Sequence, residues 1–245
     1  MSRRSALPPA LVTAAAMIAF PLARPGGTRR ATISSVVVAG LAATTGAHAA
    51  GRWGIGRAVL AALAVGGATT AVERMGTVTA LPFGRYRYTG RLRPTIAGVP
   101  LVVPAAWWAM ALPAREVAHA ALGRRSGRAG RTALGAAALT GWDLFLDPQM
   151  TAEGYWSWAR DGRYRGIPWT NFAGWLITGA GVMLVLEALL PPRGADAGLV
   201  VEYAVMGAME ALGFAAFFGD RTVAAIGAAA MLPLGALALV RAADA

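Results

Sequence analysis

Residues 172–190 read FAGWLITGAGVMLVLEALL, nineteen residues with Glu187 as the single charge. A helix rises about 1.5 Å per residue and the hydrocarbon core of a bilayer is about 30 Å thick, so this run has the length and apolarity of a transmembrane helix. Lipid offers no partners to backbone amides, which makes helix the only open choice. The same template, moved outward along the chain, fits seven more segments: 7–23, 31–50, 58–72, 99–112, 132–146, 199–218 and 222–240. The first, third and fifth are short or marginal. The predicted fold is an all-α, polytopic membrane bundle of about eight transmembrane helices. It is expected to form one integral domain over residues 1–245, multi-pass in the cell membrane, with a motif-bearing core at 73–175.

Composition agrees with that placement. Hydrophobic residues make up 56% of the chain and charged ones 14%, where soluble proteins carry about a quarter charged; the mean hydropathy is +0.51. The net charge of +11 raises the question of nucleic acid, yet the basic residues are scattered between apolar runs and form no stripe, which argues against it. All of them are arginine and Ala and Gly abound, the background of a GC-rich genome. The absence of cysteine excludes disulfides, thiolate metal sites and cysteine nucleophiles. His48 and His119 stand alone, in no HxxxH or HExxH pair, so no metal site is expected; His119 reads as a helix-end residue. The stretches VGGA at 65–68 and GAMEALG at 207–213 suit close helix packing. Arg3 and Arg4 ahead of the first apolar run, with an AxA-like site at 47–49, also fit a signal peptide. The long apolar run from Ala31 favours a retained span.

Two connections are unlike ordinary loops. Residues 73–98 read ERMGTVTALPFGRYRYTGRLRPTIAG, and residues 142–171 read WDLFLDPQMTAEGYWSWARDGRYRGIPWTN. Two spans separate them, so both open on the same side of the membrane. Each contains Gly-Arg-Tyr-Arg, at 84–87 and 162–165, either by chance in an arginine-rich chain or as matching elements framing one cavity. Arginine counts do not orient the bundle; the connection 123–131, with Arg124, Arg125, Arg128 and Arg131 and no acid, favours the cytoplasm.

Carboxylates cost about 2.5–3.5 kcal/mol each at the centre of a membrane helix, so each needs a reason. The candidates are Glu73, Asp143, Asp147, Glu187, Glu202 and Glu210. Asp143 and Asp147 lie four apart and share one face of the fifth helix, directed toward the motif loops. Asp147 before Pro148 also reads as the N-cap of a short interfacial helix at 148–159. Asp143 is open to an ion pair with Arg85 or Arg87, and Glu73 to one with Arg74. Glu202 and Glu210 fit helix-to-helix hydrogen bonding as well as catalysis. Trp142, Tyr155, Trp156, Trp158, Tyr164 and Trp169 read as an interfacial belt, or as the lining of a lipid groove whose rings face a cation.

The blocks ERMGT (73–77), LPFGRYRYTG (81–90), GVPL (98–101), WDLFLDPQM (142–150), GIP (166–168) and NFAGW (171–175) together resemble the membrane carotenoid hydratases, which include carotenoid 1,2-hydratases and bisanhydrobacterioruberin hydratases. The likeness covers roughly residues 73–175; Ala80, where glycine is expected, and Gly141 depart from the pattern. The resemblance implies addition of water across the terminal double bond of an acyclic carotenoid, of lycopene type or C50 bisanhydrobacterioruberin type, giving a tertiary alcohol. Protonation of the alkene leaves a tertiary carbocation that water captures, which calls for a carboxylic acid beside an apolar tunnel. Asp143 is then the expected proton donor, with Asp147 or Glu73 holding the water. Asn171 and Tyr86 assist, Trp142 or Trp156 faces the cation, and Tyr155, Tyr88 and Arg85 join these four in binding the substrate. No metal or organic cofactor is implied; membrane lipid and other carotenoid-pathway enzymes are the expected partners. A membrane prenyltransferase using the Asp143 and Asp147 pair, or a non-catalytic carotenoid carrier or scaffold, are the alternatives.

Overall fold

The computed structural model describes residues 5–123 and 126–243. Arg3, Arg4, Arg124 and Arg125, on which the signal-peptide and orientation readings drew, lie outside the described residues. Eight α-helices follow in order: α1 (Leu7–Ala19, extended by a 3-10 turn at Phe20–Leu22), α2 (Thr28–Trp53), α3 (Ile55–Thr79), α4 (Val102–Leu122), α5 (Arg128–Ala152), α6 (Trp169–Leu189), α7 (Ala197–Ala216) and α8 (Arg221–Ala243). Short strands β1 (Tyr86–Tyr88), β2 (Thr95–Ile96), β3 (Val99–Pro100) and β4 (Trp156–Trp158) decorate the long connections.

Among the described residues five helices, α2, α3, α6, α7 and α8, are long and apolar enough to cross a membrane. The expectation of eight such spans is therefore met only in part. Residues 7–22 form a shorter apolar helix. Helices α4 and α5 are not among the five; α4 carries the adjacent Arg115 and Glu116, and α5 carries Arg128, Arg131, Asp143 and Asp147. Helix α4 is enclosed, with seventeen of its 21 residues buried, and it packs against α2, α3, α5, α6, α7 and α8.

Three boundaries differ from the sequence reading. Helix α3 continues to Thr79, so Glu73 sits inside it and not at its end. It stops at Ala80, whose left-handed φ of 70° is the conformation that glycine, expected there, adopts without a Cβ clash. Helix α4 runs past Pro113, and α5 runs past Pro148 to Ala152. Asp147 is therefore no N-cap, and the predicted interfacial helix at 148–159 is replaced by a turn and β4.

A proline inside a helix leaves the carbonyl four residues earlier without its amide, and both orphans find hydroxyl donors. The Tyr164 hydroxyl donates to the Leu144 carbonyl at 2.8 Å, and Thr45 Oγ1 donates to the Ala109 carbonyl at 2.9 Å. Burial, then the charge of Asp220, push the Tyr164 phenol up to about 12, so it remains a donor throughout the physiological range.

The two motif connections lie at the same end of the bundle and join: β1 pairs antiparallel with β4, Tyr86 opposite Trp158 and Tyr88 opposite Trp156. The two Gly-Arg-Tyr-Arg elements are not equivalent; the first enters β1, and the second forms a tight bridge from Gly162 to Gly166.

The opposite end is tied by ions. Arg115, 1% exposed, binds Glu116 Oε1 through Nη1 at 2.6 Å and Glu187 Oε1 through Nε at 2.8 Å; its Nη2 donates to the Leu190 carbonyl at 2.8 Å. His119 Nε2 lies 2.5 Å from Glu187 Oε1. His119 is thus one turn short of the helix end, inside this cluster. Arg115→Met would leave two carboxylates buried without their main cation, and breaking a buried pair costs about 3–5 kcal/mol. A clear fall in the thermal midpoint of the protein in detergent is expected; an unchanged midpoint would show that this cluster does not hold the end together.

Candidate active site

Between the helices, toward the end that carries the motif loops, lies a cavity of about 390 Å³. Apolar side chains of α1, α2, α4 and α7 form most of its wall, among them Met17, Leu41, Ala106 and Met206. Glu73, Tyr86, Tyr88, Trp142, Asp147, Trp156 and Asn171 also line it.

Glu73 is 6% exposed and takes no ion pair from Arg74. Three neutral donors serve it instead. Tyr88 donates to Oε2 at 2.7 Å, Trp107 Nε1 to Oε1 at 3.0 Å, and Tyr86 makes a short hydrogen bond to Oε2. Burial, then the neighbouring Glu73 carboxyl, push both phenols well above their ordinary range, so both keep their protons at neutral pH. Tyr86 reaches this depth because Phe83 beside it is seated against two glycines. A Cβ on Gly76 would meet the Phe83 ring at 3.0 Å, and one on Gly174 would meet that ring at 2.7 Å and the Pro82 backbone at 2.9 Å.

Asp143 and Asp147 share one amide. Asn171 Nδ2 donates to Asp143 Oδ2 at 2.7 Å and makes a short hydrogen bond to Asp147 Oδ2, while Trp156 Nε1 donates to Asp147 Oδ1 at 2.7 Å. Asp143 is fully buried and its Oδ1 has no hydrogen-bond partner. Neither Arg85 nor Arg87 pairs with it: Arg85 is exposed and Arg87 Nε donates to Ser157 at 3.2 Å. Only Asp147 of the two lines the cavity; Asp143 stands behind it.

Aromatic rings close this end. Trp107 and Trp175 stack at 3.9 Å, Trp142 meets Trp175 edge-on at 6.2 Å, and Tyr88 meets Trp156 edge-on at 6.0 Å. The indoles from residues 142 to 158 therefore cluster inside the protein, whereas Trp169 is 76% exposed as a belt residue would be. Tyr155 does not line the cavity; its hydroxyl lies 3.1 Å from Ser34 Oγ, holding the second loop to α2. The structure thus brings together Glu73, Asp143, Asp147, Asn171, Tyr86, Tyr88, Trp142 and Trp156, and leaves Arg85 and Tyr155 apart. Trp107 and Trp175 were missed by the sequence reading, although Trp175 falls one turn after Asn171 on α6.

The chain matches the family described as carotenoid biosynthesis protein over residues 11–240. It belongs to that family. It is also 32% identical over 133 residues to the bisanhydrobacterioruberin hydratase of Haloarcula japonica, an alignment covering 54% of this chain and 45% of the relative. The shared stretch is thus about half of each protein. No solved structure matches the chain.

A carotenoid biosynthesis protein with an apolar cavity at its carboxyl cluster is expected to admit a carotenoid polyene there. Ala106→Phe places a ring in the cavity from α4 without touching a polar group. It is expected to weaken polyene binding, read as quenching of tryptophan fluorescence, by roughly tenfold or more. Equal binding by the two proteins would place the polyene elsewhere.

Proposed function

We propose that this protein is a carotenoid hydratase, adding water across the terminal double bond of an acyclic carotenoid to give a tertiary alcohol. The observation that carries the reading is a group of buried carboxyls, held by neutral donors, at the aromatic end of an apolar cavity. The name of the Haloarcula relative supports it. The end of the polyene enters the cavity and its tail extends toward lipid. Asp147 faces the cavity and gives its proton to the less substituted alkene carbon; the π electrons form the new C–H bond, and the adjacent carbon becomes a tertiary cation. The faces of Trp142 and Trp156 stabilise that charge. Water held at Glu73 supplies the electron pair of the C–O bond and loses a proton to the Glu73 carboxylate. Transfer of that proton to Asp147 through water closes the cycle. Asn171 holds Asp147 in place and ties it to Asp143, so that the two carboxyls act as a coupled pair.

In the same reading α4 and α5 also cross the membrane, their charged residues shielded by the apolar helices around them, and the bundle sits in the cell membrane. Expression in cells that make lycopene or a longer acyclic carotenoid, followed by mass measurement of the pigments, tests the reaction. A gain of one water is expected; a gain of one isoprenoid unit would make the protein a transferase, and unchanged pigments would make it a carrier. Asp147→Asn and Asp143→Asn are expected to lower hydration by about 10²–10⁴. Near-normal turnover in either variant removes that carboxyl from the mechanism.

A further inference from the structure

Glu210, on α7, is a buried carboxyl that the proposed chemistry does not use. It is 6% exposed and lines the cavity beside Met206, Met209 and Gly213. The other buried carboxyls each have a partner. Glu73 takes hydrogen bonds from Tyr86, Tyr88 and Trp107, and Asp143 and Asp147 take theirs from Asn171 and Trp156. Glu116 pairs with Arg115, and Glu153 with Arg30 at 2.8 Å. Among the described residues, Glu210 makes no hydrogen bond and no ion pair. Removing a carboxyl from water without a partner is costly, and the cost is recovered only when something in the cavity bonds to it.

The surroundings restrict what that can be. A trapped water needs two to four polar partners, and the cavity wall on α7 offers methionines, Leu212, Gly213 and Phe217 besides Glu210 itself. A hydroxyl carried on an apolar chain fits better. It can donate to a carboxylate or accept from a carboxylic acid, and its flanking carbons cover the apolar wall. Glu210 stands on α7, whereas Glu73 stands on α3 and the aspartate pair on α5, and no hydrogen bond joins it to them.

We propose that Glu210 is a specificity residue that binds a hydroxyl group on the substrate, set back from the alkene undergoing hydration. The cavity then reads its ligand at two points, alkene at Asp147 and alcohol at Glu210. The proposal rests on the hydratase reading for its reaction, but not for its binding step.

The test compares lycopene with an acyclic polyene of the same length that carries a tertiary hydroxyl near the reacting end. Binding is read by tryptophan quenching and hydration by product mass, in the wild-type protein, Glu210→Gln and Glu210→Leu. The wild type is expected to favour the hydroxylated polyene in both measurements, on the order of tenfold or more. Glu210→Leu is expected to abolish that preference and Glu210→Gln, which keeps a donor and an acceptor, to retain most of it. A wild type without preference, a preference that persists in Glu210→Leu, or an equal loss for both polyenes would overturn the proposal. Should the wild type hydrate neither polyene, the hydratase reading falls, and the binding ratios still decide the role of Glu210.

Discussion

A carboxyl group inside a helix bundle must be supplied with donors by the bundle itself, and the whole architecture follows from the two ways in which this chain supplies them. At one end the donors are cations: Arg115 grips Glu116 and Glu187, with His119 alongside. At the other they are neutral: phenols, indoles and one amide surround Glu73, Asp143 and Asp147. The difference is chemical. A guanidinium favours the ionised form of the carboxyl it faces, which suits a structural tie. Neutral donors leave both protonation states open, which suits a group that must give up a proton and recover it.

Neutral donors have to be brought to depth, and the long connections are built for that. Pairing of β1 with β4 presents Tyr86, Tyr88 and Trp156 together, and the glycines at 76 and 174 make room for the Phe83 ring that seats the first connection. Tyr164 anchors the second by binding the Leu144 carbonyl, which Pro148 has freed. The same proline follows Asp147 directly. The residue that tethers the loop and the residue proposed to carry the proton are thus placed by one local feature of α5.

Much of this can be read before folding is considered. Apolar length alone gives the helices, the four-residue spacing puts Asp143 and Asp147 on one face, and the even number of intervening helices puts the two motif connections at one end. The motif residues Tyr86, Tyr88, Trp142, Trp156 and Asn171 are indeed gathered there. What a linear reading misses depends on partners distant in sequence. Pro113 and Pro148 look like helix ends, and they are not, because Thr45 and Tyr164 satisfy the carbonyls that they expose. Glu73 beside Arg74 looks like an ion pair, but α3 continues through both and turns Glu73 inward to Trp107 of α4. Arg85 directly precedes β1 and is exposed, whereas Tyr86, the first residue of the strand, is buried.

The position of water is the remaining consequence. Hydration requires a water molecule at a cation that lives briefly in an apolar pocket, and too much water would quench it unselectively or solvate the acid. The rings of Trp107, Trp175 and Trp142 pack against one another beside the carboxyls and line the cavity there. At the connection end the pocket presents the carboxyls of Glu73 and Asp147. In the proposed reaction, water then arrives from the loops and the polyene from the lipid, so the two reactants meet only where the carboxyls stand. That separation is what an ion-paired site could not provide, since a guanidinium at Glu73 or Asp147 would bring its own hydration into the cavity and fix the charge that the reaction has to move.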